Sequence, residues 1–291
     1  MREEIVAHSQ QFQPYSEFNY VNMYAWDLRG STRVTLLHDN LVLHMPDYMD
    51  GPDFYSFLGN NRVVDTTDIL LNEAEALTDH RYLRLVPEVG ALLLNATTKY
   101  NVTEEHDGHD YIISLPEVAA KYGPRYRNMR HEIYKFLGVH EHQTQFVELN
   151  PHDPYTQGEM IQVFLGREFQ KTENNHTNEL LAIERLFDAN PTFNVEARGL
   201  RIDDQLRAFI IYEKLTAGWS IGHFWKADIS YRGIYRYLMN NVAQQLTTEG
   251  FHFMNIEQDL GIPGLKYLKN LMRPVDHLKK FAVTDRNLDI L

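Results

Sequence analysis

Apolar residues repeat with a helical period in some stretches of the chain and alternate with polar residues in others. In 178–187 they recur every three or four positions, which is typical of a helix with one buried side. Residues 198–202 and 206–215 bracket Asp203-Asp204, and this arrangement predicts a hairpin. The same criteria predict further helices at 16–28, 67–77, 88–96, 115–121, 160–169, 233–246 and 265–271, and further strands at 32–37, 41–45, 80–86, 111–114, 219–225, 251–256 and 279–283.

The order of these elements indicates an α+β protein. Its second half runs hairpin, strand, helix, strand, helix, strand, which contains one βαβ crossover. Turn-forming Pro151, Pro154 and Gly158 cluster between the halves. We therefore predict two domains, 1–155 and 156–291, with mixed central sheets flanked by helices.

Composition narrows the class of protein. The 291 residues include no Cys, which excludes disulfides, thiolate catalysis and Cys-based zinc sites. The charged start at Met1-Arg2-Glu3-Glu4 is unlike a signal peptide, and no apolar run approaches the roughly 20 residues that span a bilayer. We expect a cytoplasmic protein without membrane insertion. The net charge of -12 argues against DNA as a partner, because the phosphate backbone favours positive surfaces.

The charge is unevenly distributed along the sequence. Residues 1–120 hold 7 Lys and Arg against 19 Asp and Glu, whereas 121–291 hold 21 of each. Two runs are locally basic. These runs are either solvated faces or the lining of a site for a phosphorylated ligand, and they comprise Lys121, Arg125, Arg127, Arg130 and Lys135 in the first and Lys266, Lys269, Arg273, Lys279 and Lys280 in the second.

The crossover between 219 and 259 has the strongest signal for a ligand site. The loop before its helix ends in Arg232-Gly233, and a helix start offers unpaired N–H groups that hold phosphate. Two parallel strands place Lys226 and Glu257 at the same sheet edge. Alternation in 251–257 puts Phe251, Phe253, Asn255 and Glu257 on one face, with the aromatic rings inward. The alternative is an ordinary crossover with a solvated Lys and Glu.

Several stretches resemble a known family, the phosphatidylglycerol lysyltransferase C-terminal domain-like proteins of bacteria. The resemblance covers nearly the whole chain and rests on Phe18-Asn19-Tyr20, Trp26, Asp110-Tyr111, Arg127-Asn128 to Phe136, Phe224-Trp225-Lys226-Ala227-Asp228, Tyr231-Arg232-Gly233-Ile234-Tyr235, Asn255-Ile256-Glu257-Gln258-Asp259-Leu260-Gly261, Gly264-Leu265, Arg273-Pro274 and Leu278-Lys279-Lys280-Phe281.

This resemblance implies two tandem domains of the acyl-CoA N-acyltransferase (GNAT) superfamily. It implies transfer of an acyl or aminoacyl group, with acyl-CoA or aminoacyl-tRNA as donor and a small amine or hydroxyl compound as acceptor. The tRNA acceptor end is then a possible partner. The sequence departs from the family at Trp225 and Ile256, and from the usual pyrophosphate loop at Tyr235. A non-catalytic module that senses a ligand is the competing hypothesis, and these departures favour it.

For a transferase, the residues are given the following roles. Glu257 is the candidate general base and Tyr235 the candidate acid, because acyl transfer needs a base for the acceptor and a proton for the leaving group. Lys226 is assigned to catalysis as an anion contact. The cofactor-binding residues are Arg232, Gly233, Ile234 and Lys269, and the substrate-binding residues are Asn255, Asp259, Arg127, Asn128 and Arg130, the last three as a second basic wall.

Histidine-rich stretches raise the possibility of a metal site. His106 and His109 flank Asp107-Gly108, and His140-Glu141-His142 forms a second group. Imidazole and carboxylate together can coordinate a transition metal. Such short spacings in loops are common by chance, however, and the sequence shows no third, distant ligand. We therefore predict no metal.

Overall fold

The computed structural model describes residues 2–49, 51–78, 80–170, 177–189 and 193–286. Its chain forms two compact units. Unit 1 contains residues 2–110, 258–265 and 277–286, and unit 2 contains 111–257 and 266–276. The residues of these units differ from those of the predicted domains 1–155 and 156–291. The chain leaves unit 1 after Asp110 and returns to it twice.

Unit 1 carries two three-stranded antiparallel sheets. In the first the order is β1-β2-β3, and in the second the strand from the C-terminal segment lies centrally, in the order β4-β13-β5. The elements are α1 (Arg2–Ser9), α2 (Tyr20–Ala25), β1 (Arg33–Leu37), β2 (Asn40–Met45), β3 (Phe54–Leu58), α3 (Val63–Thr78), β4 (Tyr82–Pro87), α4 (Glu88–Asn95), β5 (Tyr100–Glu104) and β13 (Lys280–Asp285).

The core of unit 1 is built from apolar side chains of α3, α4 and both sheets. Phe57, Leu71, Leu83, Leu94 and Val283 are buried in one cluster, so residues from distant parts of the sequence share one hydrophobic interior. Removal of such side chains from water is the main favourable term in folding. The strand β13 thus contributes to the core as well as to the sheet.

Unit 2 is organised around a larger sheet, in the order β12-β6-β11-β10-β9-β8-β7. Strands β10 and β11 are parallel and joined by helix α9. The elements are β6 (Asp110–Ser114), α5 (Leu115–Ala120), α6 (Arg127–His140), β7 (Thr144–Leu149), α7 (Pro154–Phe169), α8 (Thr177–Asp188), β8 (Val195–Ile202), β9 (Gln205–Lys214), β10 (Trp219–Ala227), α9 (Ile234–Thr248), β11 (Phe253–Asn255), α10 (Pro263–Leu271) and β12 (Asp276–Leu278), with the boundary between the units inside β12.

Helices α5, α6 and α9 cover one face of this sheet. Ile210 and Tyr212 of β9 point into the cluster that they share with Leu238 and Val242 of α9. The period-two alternation of a strand sends the intervening residues of β9 to the other face, where α7 packs. The predicted α+β class with a mixed sheet flanked by helices is therefore observed.

Most predicted elements are present, but several others were not predicted. The sequence pattern did not indicate α1, β3, β5, α6, β7 or β12. The predicted helix 16–28 is broken at Asn19, whose side chain caps α2 by accepting a hydrogen bond from Asn22 N. Strand β11 is shorter than predicted, and Phe253 is partly exposed, so its ring does not point inward. Among the described residues, no helix is long and apolar enough to cross a membrane.

A buried cluster of charged and polar side chains joins the separate segments of unit 1. Lys280 Nζ donates to Glu17 Oε1 and Asp110 Oδ1 at 2.8 Å each and to Gln258 Oε1 at 3.0 Å. Ser16 Oγ donates to Asp110 Oδ1 at 2.7 Å. We call these five residues the Lys280 cluster. The Lys280, Glu17 and Asp110 side chains are fully inaccessible to solvent.

The Lys280 cluster holds one more carboxyl group than its ammonium balances. Burial raises the pKa of Glu17 to about 7, against the opposing effect of Lys280. A proton on Glu17 leaves Lys280 and Asp110 as a neutral pair. Because the folded protein binds that proton more tightly than the unfolded chain, stability from Glu17 is present below about pH 4.5 and lost as the pH rises through about 7.

We predict that E17Q removes this pH dependence. Gln is neutral at every pH and still offers an oxygen to Lys280. Relative to wild type, the variant gains on the order of 3 kcal/mol in free energy of unfolding between about pH 4.5 and about pH 8, at roughly 1.4 kcal/mol per pKa unit. Urea unfolding at both pH values measures the change. The exposed Glu3, changed to Gln, is the control, and an E17Q deficit of equal size at both pH values would contradict the prediction.

Candidate functional site

Strands β10 and β11 separate at one point in the unit 2 sheet. They are paired from Trp219 and Phe253 to Ile221 and Asn255. Beyond that point β11 ends while β10 continues to Ala227, so their backbone groups no longer pair with each other in a ladder. The register of β10 against β9 also shifts between residues 222 and 224. We call the region beyond Ile221 and Asn255 the strand gap.

Glu257 lies at the strand gap in a conformation that strand alternation does not produce. Its φ of +61° is in the left-handed region, which is unusual for a residue other than Gly. The turn is held because Glu257 N donates to Asn255 Oδ1 at 2.6 Å and Tyr111 N donates to the Glu257 carbonyl at 3.1 Å. The prediction that Glu257 shares a strand face with Phe253 is therefore wrong, and its carboxylate is placed by a turn.

His223, which the sequence analysis did not single out, lies between two carboxylates. Its Nε2 is 3.1 Å from Glu213 Oε2, and its Nδ1 is 3.4 Å from Glu257 Oε1. Burial alone would lower the pKa of this completely buried ring, but the two carboxylates raise it to about 9. At neutral pH the ring is an imidazolium. It positions Glu257 and cannot itself act as a base.

Lys226 and Tyr235, the two other predicted catalytic residues, already have partners. Lys226 Nζ donates to Glu179 Oε2 at 2.7 Å and lies over the Phe164 ring. Burial alone would lower the pKa of Lys226, but Glu179 raises it, so the buried ammonium stays charged. The Tyr235 hydroxyl accepts a hydrogen bond from Ala227 N at 3.1 Å, which leaves its own proton available for donation. Their catalytic roles stay predictions.

The start of α9 carries a concentration of positive charge. Arg232 makes two hydrogen bonds to the Glu132 carboxylate, at 2.6 and 2.9 Å, and Arg236 Nη1 is 3.6 Å from the same group. The pKa of Arg236 is lowered mainly by burial, and the nearby charge of Arg273 lowers it further. Two guanidinium groups, those of Arg232 and Arg236, therefore face one carboxylate. This surplus favours an anion in the same place.

Gly233 immediately precedes the first residue of α9, and glycine is needed there for a different reason from the predicted one. A Cβ atom at this position would lie 2.5 Å from the Glu132 carbonyl oxygen, and the φ of Gly233 is +92°. Glycine therefore allows α6 to approach the loop closely, where we had expected a ligand. No side chain caps the helix, but Ile234 N and Arg236 N of its first turn already donate to the Tyr231 and Gly233 carbonyls at 3.1 Å each. Ile234 is buried in the core beneath.

The remaining predicted residues are distributed over several positions. Lys269 donates to the Ile256 carbonyl, next to Glu257. Arg130 donates to the Gly123 carbonyl at 2.7 Å, which gives it a structural contact. Arg127 and Asn128 are exposed at the start of α6. Asp259 belongs to unit 1, where its carboxylate accepts from Gly261 N at 2.8 Å.

Comparison with known proteins agrees with this architecture. A family model described as phosphatidylglycerol lysyltransferase, C-terminal, matches residues 16–284. A conserved protein of unknown function from Bacteroides thetaiotaomicron has a TM-score of 0.80 at 20% identity, with 98% of this chain and 96% of that chain covered. The structure of L-PGS from Bacillus licheniformis has a TM-score of 0.63 at 16% identity, with 99% and 92% covered. Comparison with curated proteins found no match.

These similarities confirm the predicted family and the predicted α+β fold with mixed sheets flanked by helices. At such low identities the solved structures are evidence for the fold alone. The chemistry of the strand gap must therefore be argued from its own residues.

We predict that His223 makes stability depend on pH in an alkaline range. Because folding raises its pKa from 6.5 to about 9, the stabilisation is fully present below about pH 6.5 and is lost as the pH rises through about 9. The loss is on the order of 3 kcal/mol. In H223Q the melting temperature should change little across this range, and in H131Q, which alters an exposed histidine, it should fall as in wild type. Equal falls in wild type and H223Q would contradict the assignment.

Proposed function

Because the chain belongs to the phosphatidylglycerol lysyltransferase C-terminal family, we propose that it transfers an acyl or aminoacyl group from acyl-CoA or aminoacyl-tRNA to an amine or hydroxyl acceptor. The observation that carries this proposal is the position of Glu257. Its carboxylate lies where β10 and β11 separate, held by a left-handed turn and paired with a buried imidazolium. A carboxylate fixed in this way suits proton abstraction from an acceptor.

The surplus charge at α9 supports a phosphate-bearing donor. Both acyl-CoA and aminoacyl-tRNA carry phosphate groups. Arg232 and Arg236 both face one carboxylate, Glu132, and Arg273 lies near enough to Arg236 to lower its pKa. A phosphate would compete with Glu132 for Arg232, which is 73% exposed. Arg–phosphate contacts are charge-assisted and can use two parallel hydrogen bonds.

The proposed reaction is a direct displacement at the carbonyl carbon of the donor. The acceptor nitrogen or oxygen attacks that carbon while Glu257 takes its proton. The developing oxyanion is stabilised by backbone N–H groups of β10 in the strand gap. The bond to the leaving sulfur or ribose oxygen then breaks, and Tyr235 is the candidate that returns a proton to it. The products are the acylated acceptor and the free thiol or hydroxyl of the donor.

Substitution of Arg232 by Ala tests the donor site. Loss of one charge-assisted contact should weaken binding of acyl-CoA or of aminoacyl-tRNA about tenfold to a hundredfold, because such hydrogen bonds contribute roughly 1.5–3 kcal/mol. The melting temperature should change little, since the Arg232 side chain is 73% exposed and the buried Glu132 keeps Arg236 at 3.6 Å. Calorimetric titration with each donor gives the affinity.

The matched control for R232A is R62A. Arg62 is 64% exposed and pairs with Asp65, so R62A removes an arginine of similar exposure from a different part of the sequence. If R232A binds both donors as tightly as R62A does, the anion site lies elsewhere, and the run from Lys121 to Lys135 becomes the candidate.

E257Q tests the general base. Gln keeps the size of the side chain but cannot take a proton, so we expect donor consumption to fall about 10²- to 10⁴-fold. The assay follows release of free CoA or deacylated tRNA in the presence of mixed amine and hydroxyl acceptors. E159Q is the control. The Glu159 side chain is 15% exposed, as that of Glu257 is, and it pairs with a largely buried cation, Arg201. A loss below about tenfold in E257Q would reduce Glu257 to a positioning role.

A non-catalytic, ligand-sensing module is the second candidate function. It is favoured by the fact that Lys226, Tyr235 and Arg232 each already contact a protein group, Glu179, Ala227 N and Glu132. Native mass spectrometry of the purified protein distinguishes the two. A bound ligand that stays chemically unchanged, with no consumption of either donor class, would support sensing.

A further inference from the structure

A cluster of one carboxylate and two imidazoles lies in unit 1, apart in sequence from the residues discussed above. Glu104 Oε1 is 3.6 Å from both His106 Nδ1 and His109 Nε2, and all three ligand atoms lie within 4.8 Å of one another. In a tetrahedral zinc site with bonds of about 2.0–2.1 Å, neighbouring ligand atoms are separated by about 3.4 Å. Two of the three distances between ligand atoms, at 3.6 Å each, are thus close to the distance expected around a bound zinc ion.

The loop that carries the cluster is fixed by its surroundings. Glu104 ends β5, and the next residues form one tight turn in which Gly108 N donates to the Glu105 carbonyl at 2.9 Å. A Cβ at Gly108 would lie 2.4 Å from a Leu85 methyl carbon, so the loop packs directly against β4. The Glu105 carboxylate accepts from Leu85 N at 2.7 Å. The loop therefore fixes the backbone positions of the three ligand residues.

His109 provides an independent indication of a ligand. It is 94% buried, since only 6% of its surface is exposed, yet its Nε2 makes no hydrogen bond and is directed towards Glu104. The ring is hydrogen-bonded to the Lys280 backbone. A neutral imidazole that donates one N–H to a carbonyl presents a lone pair on its other nitrogen. Metal-binding histidines are commonly oriented by such a hydrogen bond.

We propose that Glu104, His106 and His109 bind a divalent transition metal of the zinc type. Two imidazoles and one carboxylate are a ligand set that zinc uses when a fourth position stays open. The sequence analysis predicted no metal because it found only the two histidines, and the third ligand, Glu104, comes from the end of an unpredicted strand. This proposal is independent of the transferase reaction.

The open position would face a cavity of about 560 Å³. Glu104 and His106 line this cavity together with Asp47, Glu105 and Asp107, and Arg84 is the one cationic residue of its lining among the described residues. Such an acidic lining attracts cations. A water molecule or the oxygen of a small anionic compound could complete the coordination of the metal from this side.

Lys279 competes with the metal for Glu104. Its Nζ is 3.4 Å from Glu104 Oε1, and its side chain is 45% exposed, so it can withdraw into solvent. A bound cation would displace this ammonium. Removal of the charge in K279Q should therefore raise metal affinity, an effect that a purely structural Glu104–Lys279 ion pair would not produce.

The experiment is titration of the full chain, treated with chelator and dialysed, with Zn²⁺ alone. We expect one equivalent to bind, and Co²⁺ in its place should give the visible absorption of a four-coordinate site. H109A should lose at least about 100-fold in affinity, because even residues that only orient a ligand cost 10–100-fold. H106A tests the same site with less risk to folding, because the His106 side chain is 75% exposed.

H142A, which removes an exposed histidine outside the cluster, is the matched control and should bind Zn²⁺ as wild type does. We expect K279Q to bind about threefold to tenfold more tightly, the effect of one nearby partly screened charge. Absence of a stoichiometric site would overturn the proposal. So would binding that H106A leaves unchanged, since the ion would then be held elsewhere.

Discussion

Lys280 places a positive charge where solvent cannot reach it, and a charge in that position persists only when carboxylates and hydrogen bonds surround it. The carboxylates come from Glu17 and Asp110, and Gln258 adds a further acceptor. These residues come from all three segments of unit 1. Loss of the Asp110 carboxylate would leave the buried Lys280 ammonium without its balancing charge, at a cost of about 3–5 kcal/mol. This interaction therefore fixes where each returning segment of unit 1 must lie.

Unit 2 solves a similar problem around His223. There too one buried cation is shared between two carboxylates, Glu213 and Glu257. The difference is that Glu257 keeps limited access to solvent beside the strand gap, whereas the charges of the Lys280 cluster have none. The partly accessible pair of His223 and Glu257 can therefore orient a reactive group. The fully buried Lys280 cluster can only hold segments of the chain together. The contrast explains why the proposed chemistry is assigned to unit 2.

Sequence periodicity and turn residues correctly predicted the elements whose formation depends on neighbouring residues in the chain. The hairpin of β8 and β9, the crossover from β10 through α9 to β11, and the position of Arg232 at a helix start all follow from periodicity and turn residues. His223 could not be predicted, because a register shift in β10 directs it towards Glu213 and no alternation pattern reveals such a shift. Arg236 could have been noticed, since it lies in the first turn of α9, four residues after Arg232.

Long-range structure escaped prediction for a different reason. The course of the two units depends on pairings such as that of β13 with β4 and β5, whose partners are separated by more than 170 residues in the sequence. The sequence analysis placed Glu257 on a strand face because the identity of a Glu residue does not indicate a left-handed φ. In each case the determining contact lies outside the window in which a sequence pattern can be read.

The central position of β13 has a consequence for how the protein is made. Strands β4 and β5 belong to one sheet only through β13, so this sheet cannot close while a ribosome has yet to add residues 280–285. All residues of unit 2 precede that strand. During translation, therefore, unit 2 can fold first, and the N-terminal segment of unit 1 must wait with its strand edges open. Edges in that state pair readily with other chains, so chaperone protection matters most for the part of the protein that emerges earliest.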